Sequence, residues 1–393
     1  MKVFTLVFSL VVCGSLFAGV PDIRVVGDAN LSTDTFHSGL RVGGLSGAFM
    51  ASDQSLFAVS DDRYHPHIHR FGFGLSCEGL QVEVEDTILL KDSSDRPFAR
   101  WLLDAEGIAT AGARLFVSSE GNLHPDAGRL HREPSIMEFD PSYKLVREFS
   151  VPEKFKSRPD VSGVRQNGGF ESLTVTPSGK YLYTANEYPL YQDGERSDFE
   201  NSANVRLLKY DISVTPPKLV GEFAYKVSVY PEMVQSDRMR VRSASVGLSD
   251  LLAIDDDRLI ALERTSHLFY GARSYVNIHR LFQVDTKDAT NIESEFSLSD
   301  VDKSKVHFLK KSLFLDLSTI LSDLTPGFQS LDSLEGIAYG PRFPDGSGSL
   351  VLVSDNNFDQ NQRSQFILLS VKGFENWPTT NRSKPFALPQ NCD

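Results

Sequence analysis

The sequence has three cysteines in 393 residues, with five methionines and two tryptophans. So few sulfurs exclude a disulfide-dense scaffold and a Cys-rich zinc fold. Positive charge is also short: 40 Lys and Arg face 52 Asp and Glu, a net charge of −12. A nucleic-acid binder needs clustered basic groups to displace phosphate counterions, so this balance argues against nucleic acid as a partner. No run reaches the roughly 18 apolar residues that a membrane-spanning helix needs. Also missing are a Gly-x-Ser-x-Gly elbow, a P-loop and a His-Glu-x-x-His helix. Their absence leaves serine-esterase, P-loop nucleotide-hydrolase and zincin mechanisms without support. Helical periodicity is scarce, and only residues 315–324 suggest a short helix.

What is present begins with a short leader. Lys2, an apolar run over residues 3–12 and small residues over 14–18 predict a signal peptide spanning residues 1–18. Residues 19–393 then form one domain, expected as a secreted or periplasmic monomer. Cys13 is poorly placed for lipidation, because Val12 precedes it. Cleavage leaves Cys77 and Cys392, an even pair that permits one disulfide. Asn30-Leu31-Ser32 and Asn381-Arg382-Ser383 are glycosylation sequons, relevant only to a eukaryotic secretory route.

One pattern repeats five times. A small or acidic residue beside Gly or Leu opens each copy, and a β-rich run ending in an acid follows. The openings are Gly44-Leu45-Ser46-Gly47, Glu106-Gly107-Ile108, Glu171-Ser172-Leu173, Ser249-Asp250-Leu251 and Glu335-Gly336-Ile337. The runs that follow start at Leu56, Leu115, Leu182, Leu259 and Leu350. Further β-runs and turn formers such as Thr176-Pro177-Ser178-Gly179 make each copy a unit of three or four strands. Repeated units of this kind predict an all-β, radial β-propeller rather than a sandwich. Five units are visible, and divergent sequence over 300–330 with the two termini suggests a sixth blade. Residues 22–27 read as a strand that would close the last blade beside residues 365–369, pairing two otherwise exposed edges.

Radial repetition brings equivalent positions together. One expected ring contains Glu106, Glu171, Asp250 and Glu335; a second contains Asp61, Glu120, Glu187 and Asp355. Glu263 is the weaker member of the second ring. It lies one residue short of the common spacing, so it points to the opposite face and leaves its place to Arg264. Gathered carboxylates repel and raise one another's pKa, whereas Ca²⁺ takes about 6–8 such oxygens. All eight acids are therefore candidate Ca²⁺ ligands. Arg63, Arg165 and Arg264 accompany them, suited to bidentate contact with phosphate or carboxylate in a catalytic role. His65, His67 and His69 share one face of a strand that is expected to face solvent, with Pro66 and Arg70 suggesting an edge.

These motifs, with Ser60-Asp61-Asp62-Arg63, Asn167-Gly168-Gly169-Phe170 and Ser354-Asp355-Asn356-Asn357-Phe358, resemble the phytase-like family known by an esterase-like activity of phytase. The resemblance runs from about residue 43 to 369. It implies kinship with β-propeller phytases and so a calcium-dependent phosphoester hydrolase acting on a small molecule. Two other readings stay open. One is lactone or other ester hydrolysis at a single ion held by a mixed set such as Asn167, Asn186 and Asn356. The other is a non-catalytic ligand-binding propeller.

Overall fold

The computed structural model describes residues 21–123, 128, 131–158, 161–198, 200–230, 241–269, 276–302 and 304–374. Apolar alternation and turn residues divide them into five antiparallel sheets of four strands and one two-stranded hairpin. Blade 1 comprises Leu45–Met50, Leu56–Ser60, His67–Ser76 and Gly79–Leu89. Blade 2 comprises Ala105–Ala111, Arg114–Ser119, Ser135–Phe139 and Leu145–Glu148. Blade 3 comprises Phe170–Val175, Tyr181–Asn186, Asn204–Asp211 and Lys218–Lys226. Blade 4 comprises Val241–Ala253, Arg258–Phe269, Val276–Asp285 and Lys310–Asp316. Blade 5 comprises Ser333–Tyr339, Gly348–Asp355 and Arg363–Lys372, with Asp22–Ser32 as its outermost strand.

The first strand of each blade packs against the first strand of the next, and that of blade 5 returns to blade 1. The architecture is a β-propeller of five blades, not the six expected. The region proposed as a sixth blade has other uses. Lys310–Asp316 is the outer strand of blade 4, and Leu317–Asp323 is a short 3₁₀ helix whose Asp316 cap accepts the Ser318 N–H. Leu317 and Ile320 of that helix bury against blades 4 and 5. Asp22–Ser32 runs antiparallel to Arg363–Lys372, with Asp22 opposite Lys372 and Ser32 opposite Arg363.

Five apolar cores lie between successive blades. The core between blades 3 and 4, for example, joins Tyr183, Val205 and Tyr225 to Leu248, Leu259 and Val284. Each fully buried Leu, Val or Phe contributes about 1.5–3 kcal/mol, so the interfaces between blades carry most of the stabilisation. Blade 3 also holds a fully buried Arg206. It forks onto Asp193 at 2.6 and 2.7 Å, and donates to Glu222 and to the Glu295 and Phe296 carbonyls. These bonds fasten the connection that follows blade 4's third strand onto blade 3. Cys77 is held in a disulfide; Cys392, its expected partner, lies outside the described residues, as do the leader and Asn381.

Around the axis the inner strands approach too closely for side chains at some positions. A Cβ on Gly107 would lie 2.5 Å from the Leu173 Cβ and 2.6 Å from the Leu173 nitrogen. One on Gly336 would lie 2.4 Å from the Ser46 carbonyl oxygen. Gly107→Ala and Gly336→Ala should therefore each destabilise the fold by about 1–3 kcal/mol through overpacking. Gly74→Ala, with open space around it, serves as the neutral control. Urea unfolding of the three variants tests this, and equal midpoints would refute the close approach.

Candidate functional site: an acidic cavity at one mouth of the channel

Every inner strand carries one extra residue against its neighbour in the same blade. The register slips between Leu45 and Ala48, Ala105 and Ile108, Phe170 and Ser172, Leu248 and Asp250, and Leu334 and Gly336. Such a bulge leaves one residue outside the ladder and re-aims its side chain. The bulges place Ser46, Glu106, Glu171, Ser249 and Glu335 at equivalent positions. Asp250 is thus one residue out of step with the ring to which its motif assigned it. Its seat corresponds to Gly47, Gly107 and Gly336, where the inner strands touch. There it accepts the Leu251 N–H at 2.8 Å and the Ile337 N–H of blade 5 at 2.9 Å. Burial pushes its carboxyl up to about 8 against those bonds. Asp250 ties blades together and does not line the cavity.

The second set sits at or just past the ends of the second strands of blades 1, 2, 3 and 5, and within the longer second strand of blade 4. Asp61, Glu120, Glu187, Arg264 and Asp355 line one cavity together with Glu106, Glu171 and Glu335. Its volume is about 450 Å³, and Arg63, Asn167, Tyr188, Arg196, Ser245, Ser266 and Asn357 complete the wall. Carboxylate oxygens converge in three overlapping trios: Asp104–Glu106–Glu120, Glu106–Glu171–Glu335 and Glu120–Glu171–Glu187. Within each trio the oxygens lie within 4.8 Å of one another.

Burial, with repulsion between neighbours, raises most of these carboxyl groups. Asp61, Glu106, Glu171 and Asp355 are all pushed well above the usual carboxyl range, by desolvation first and by neighbouring acids second. Glu120 rises to about 8 and Asp104 to about 6, in both cases chiefly by burial. Two arginines offset part of the charge. Arg63 donates to Asp104 at 2.7 Å. Arg264 bridges Glu187 at 2.8 Å and Glu335 at 2.5 Å, and also reaches Ser333. At the bulged seats and the cavity, buried oxygens without a hydrogen-bond partner among the described residues include Ser46 Oγ, Ser249 Oγ and Asp61 Oδ1. An all-oxygen set with orphaned buried members fits a hard divalent cation.

The remaining expected residues lie elsewhere. Arg165 donates to the Pro189 and Gly194 carbonyls at 3.1 and 2.7 Å and stacks on Tyr191, so it braces a loop. Glu263 faces away from the cavity and accepts from Tyr225 at 2.7 Å, from Tyr230 and from Lys311. Asn186 and Asn356 are spent on backbone and Ser364 contacts inside the blades. Of the mixed Asn set, only Asn167 lines the cavity. His67 and His69 are fully buried, not solvent-facing; the two-stranded hairpin lies against the face they share, its His37 meeting at 2.9 Å the same Thr87 Oγ1 that His69 meets. The Nε2 atoms of His67 and His69 meet at 2.9 Å, and His69 Nδ1 lies 3.0 Å from Thr87 Oγ1.

Sequence reasoning gave no site role to Asp104, Tyr188, Arg196, Ser245, Ser266 or Asn357. Asp104 had a legible signal, lying two residues before Glu106 and immediately ahead of the same strand. Arg196 had none, since it comes from an irregular loop between the second and third strands of blade 3.

The raised carboxyl groups fix a pH response. Glu120 and Asp104 bind protons more tightly when folded, so stability is full below about pH 4 and falls as pH rises toward 8. In chelator, the melting temperature should be several degrees higher at pH 5.5 than at pH 8. Glu120→Gln should flatten part of that slope while keeping the carbonyl that accepts the Gly169 N–H at 2.8 Å. A slope of opposite sign would show that the acids are charged and paired without a cation.

Comparison with known proteins agrees with the motifs. An uncharacterised secreted protein from the fungus Arthroderma benhamiae is 22% identical over 275 residues, 56% of this chain and 53% of the relative. The chain thus spans about half the length of that curated relative. Among solved structures, a PQQ-bound aldose sugar dehydrogenase from Streptomyces coelicolor overlaps 89% of this chain and 100% of its own, with 12% identity and a TM-score of 0.36. A protein from Lactobacillus plantarum overlaps 82% of this chain and 80% of its own, with 13% identity and a TM-score of 0.33. Scores of that size carry no argument about fold or chemistry. No helix among the described residues is long and apolar enough to cross a membrane. The family model for the esterase-like activity of phytase matches residues 40–358, and the chain belongs to this phytase-like family.

Proposed function

We propose that the protein is a secreted, calcium-dependent ester hydrolase whose favoured substrate is a small phosphate ester. The observation that carries this reading is the overlap of three carboxylate trios beside the orphaned Ser46 and Ser249 hydroxyls. Glu106, Glu171 and Glu335 would hold the cation, with Asp61, Glu187 and Asp355 around them. A bound divalent cation supplies fixed positive charge to a phosphoryl or carbonyl oxygen. Arg63 and Arg264 orient the acids they touch and offset charge on the bound ester. Glu120 uses Oε1 to accept the Gly169 N–H, which leaves Oε2 to take up or return a proton. No serine or cysteine nucleophile motif is needed. The lactonase-like reading loses support because its Asn ligands are not gathered.

Calcium titration calorimetry and thermal melting test the proposal. Saturating calcium at about a hundredfold excess over Kd should stabilise the fold by about 2.7 kcal/mol. Glu171→Ala and Glu335→Ala should each lower calcium affinity at least tenfold and reduce phosphoester turnover in parallel. A flat isotherm, with melting indifferent to calcium and chelator, would leave a non-catalytic ligand-binding propeller.

A further inference from the structure

The cavity is bordered by three guanidinium groups, and they are not equivalent. Arg63 is spent on Asp104 and Arg264 on Glu187 and Glu335, so both are neutralised inside the wall. Arg196 makes no ion pair among the described residues. It is exposed at the rim, donates through Nη2 to the Gln166 carbonyl at 3.1 Å, and lies with Cζ 4.0 Å from the centroid of the Tyr188 ring. Tyr188 is itself fixed, its hydroxyl 2.6 Å from Ser245 Oγ on the long first strand of blade 4. No lysine lines the cavity.

We propose that Arg196, stacked on Tyr188, receives the anionic group of the substrate and so sets the preference for charged over neutral esters. The proposal rests on the hydrolase reading for its substrate, but its geometry stands apart from the cation floor. An anion nearing this mouth meets a wall of acids, and the guanidinium without a carboxylate partner is the group left to attract it. Stacking leaves the edge of the fork open while restraining its plane, which lowers the ordering cost of bidentate contact. The Gln166 carbonyl takes one N–H and orients the rest. Lysine at this position would keep the charge but lose both the fork and the stack.

Methylphosphonate, a phosphoester mimic that cannot be hydrolysed, is the probe. Its binding is measured by calorimetry on the full chain in saturating calcium and again in chelator. Arg196→Ala should weaken binding by about tenfold to a hundredfold, the usual worth of charge-assisted hydrogen bonds. Arg196→Lys should recover only part of that loss. Tyr188→Phe keeps the ring and should bind like the parent, whereas Tyr188→Leu should follow Arg196→Ala. The calcium isotherm and the melting midpoint of Arg196→Ala should match the parent, since the side chain is exposed and is not a proposed ligand. Binding within twofold of the parent in Arg196→Ala would overturn the proposal, as would a parent that binds calcium but no methylphosphonate. A parent that binds methylphosphonate through Arg196 yet takes up no calcium would sink the hydrolase reading and keep this one.

Discussion

The structure depends on how closely five strands can approach one axis. Where the inner strands touch, Gly107 and Gly336 leave only backbone against Leu173 and Ser46. Hydrogen bonding within each blade cannot follow that curvature without a defect, and each inner strand takes up the mismatch as one bulged residue. The bulge is therefore both a packing device and the means by which a side chain is turned toward the channel. Strength comes from the apolar layers between blades, while chemistry is confined to positions the ladder cannot use.

Charge is the second constraint. Asp61, Asp104, Glu106, Glu120, Glu171, Glu187, Glu335 and Asp355 crowd one mouth, and Arg63 and Arg264 balance only part of them. Burial drives many of these carboxyl groups upward first, and the unbalanced negative charge around them adds to it. A cation and a proton compete for the same oxygens. Stability at low pH and the proposed affinity for a cation would then be two readings of one electrostatic imbalance.

The repeat was legible because each copy announces itself twice, at its opening motif and at the acid after its second strand. The second ring followed from counting five residues past a leucine, and that count gave Arg264 the place that Glu263 misses. The count failed at Asp250. A single bulge decides whether position 249 or 250 joins the ring, and the motif Ser249-Asp250-Leu251 does not reveal which residue leaves the ladder. The sixth blade was an overcount of a different kind. Lys310–Asp316 has strand character, but its partner is the third strand of blade 4, across a long connection held in part by Arg206. The burial of His67 and His69 was hidden for a similar reason. Alternation identifies a shared face but not what covers it, and the cover here includes the small hairpin that carries His37. Arg196 stayed invisible because irregular loops carry no period from which a direction can be read.

The bulged seat is made by backbone geometry, and its five occupants differ. Ser46 and Ser249 hold hydroxyls where Glu106, Glu171 and Glu335 hold carboxyls, although the register slips alike in all five blades. The floor is therefore a set of sockets whose formal charge can be edited one at a time, through serine or glutamate, without redrawing the strands that hold them. Within one unchanged scaffold, such editing would retune which ions the mouth prefers, from monovalent to multivalent, by arithmetic on side chains alone.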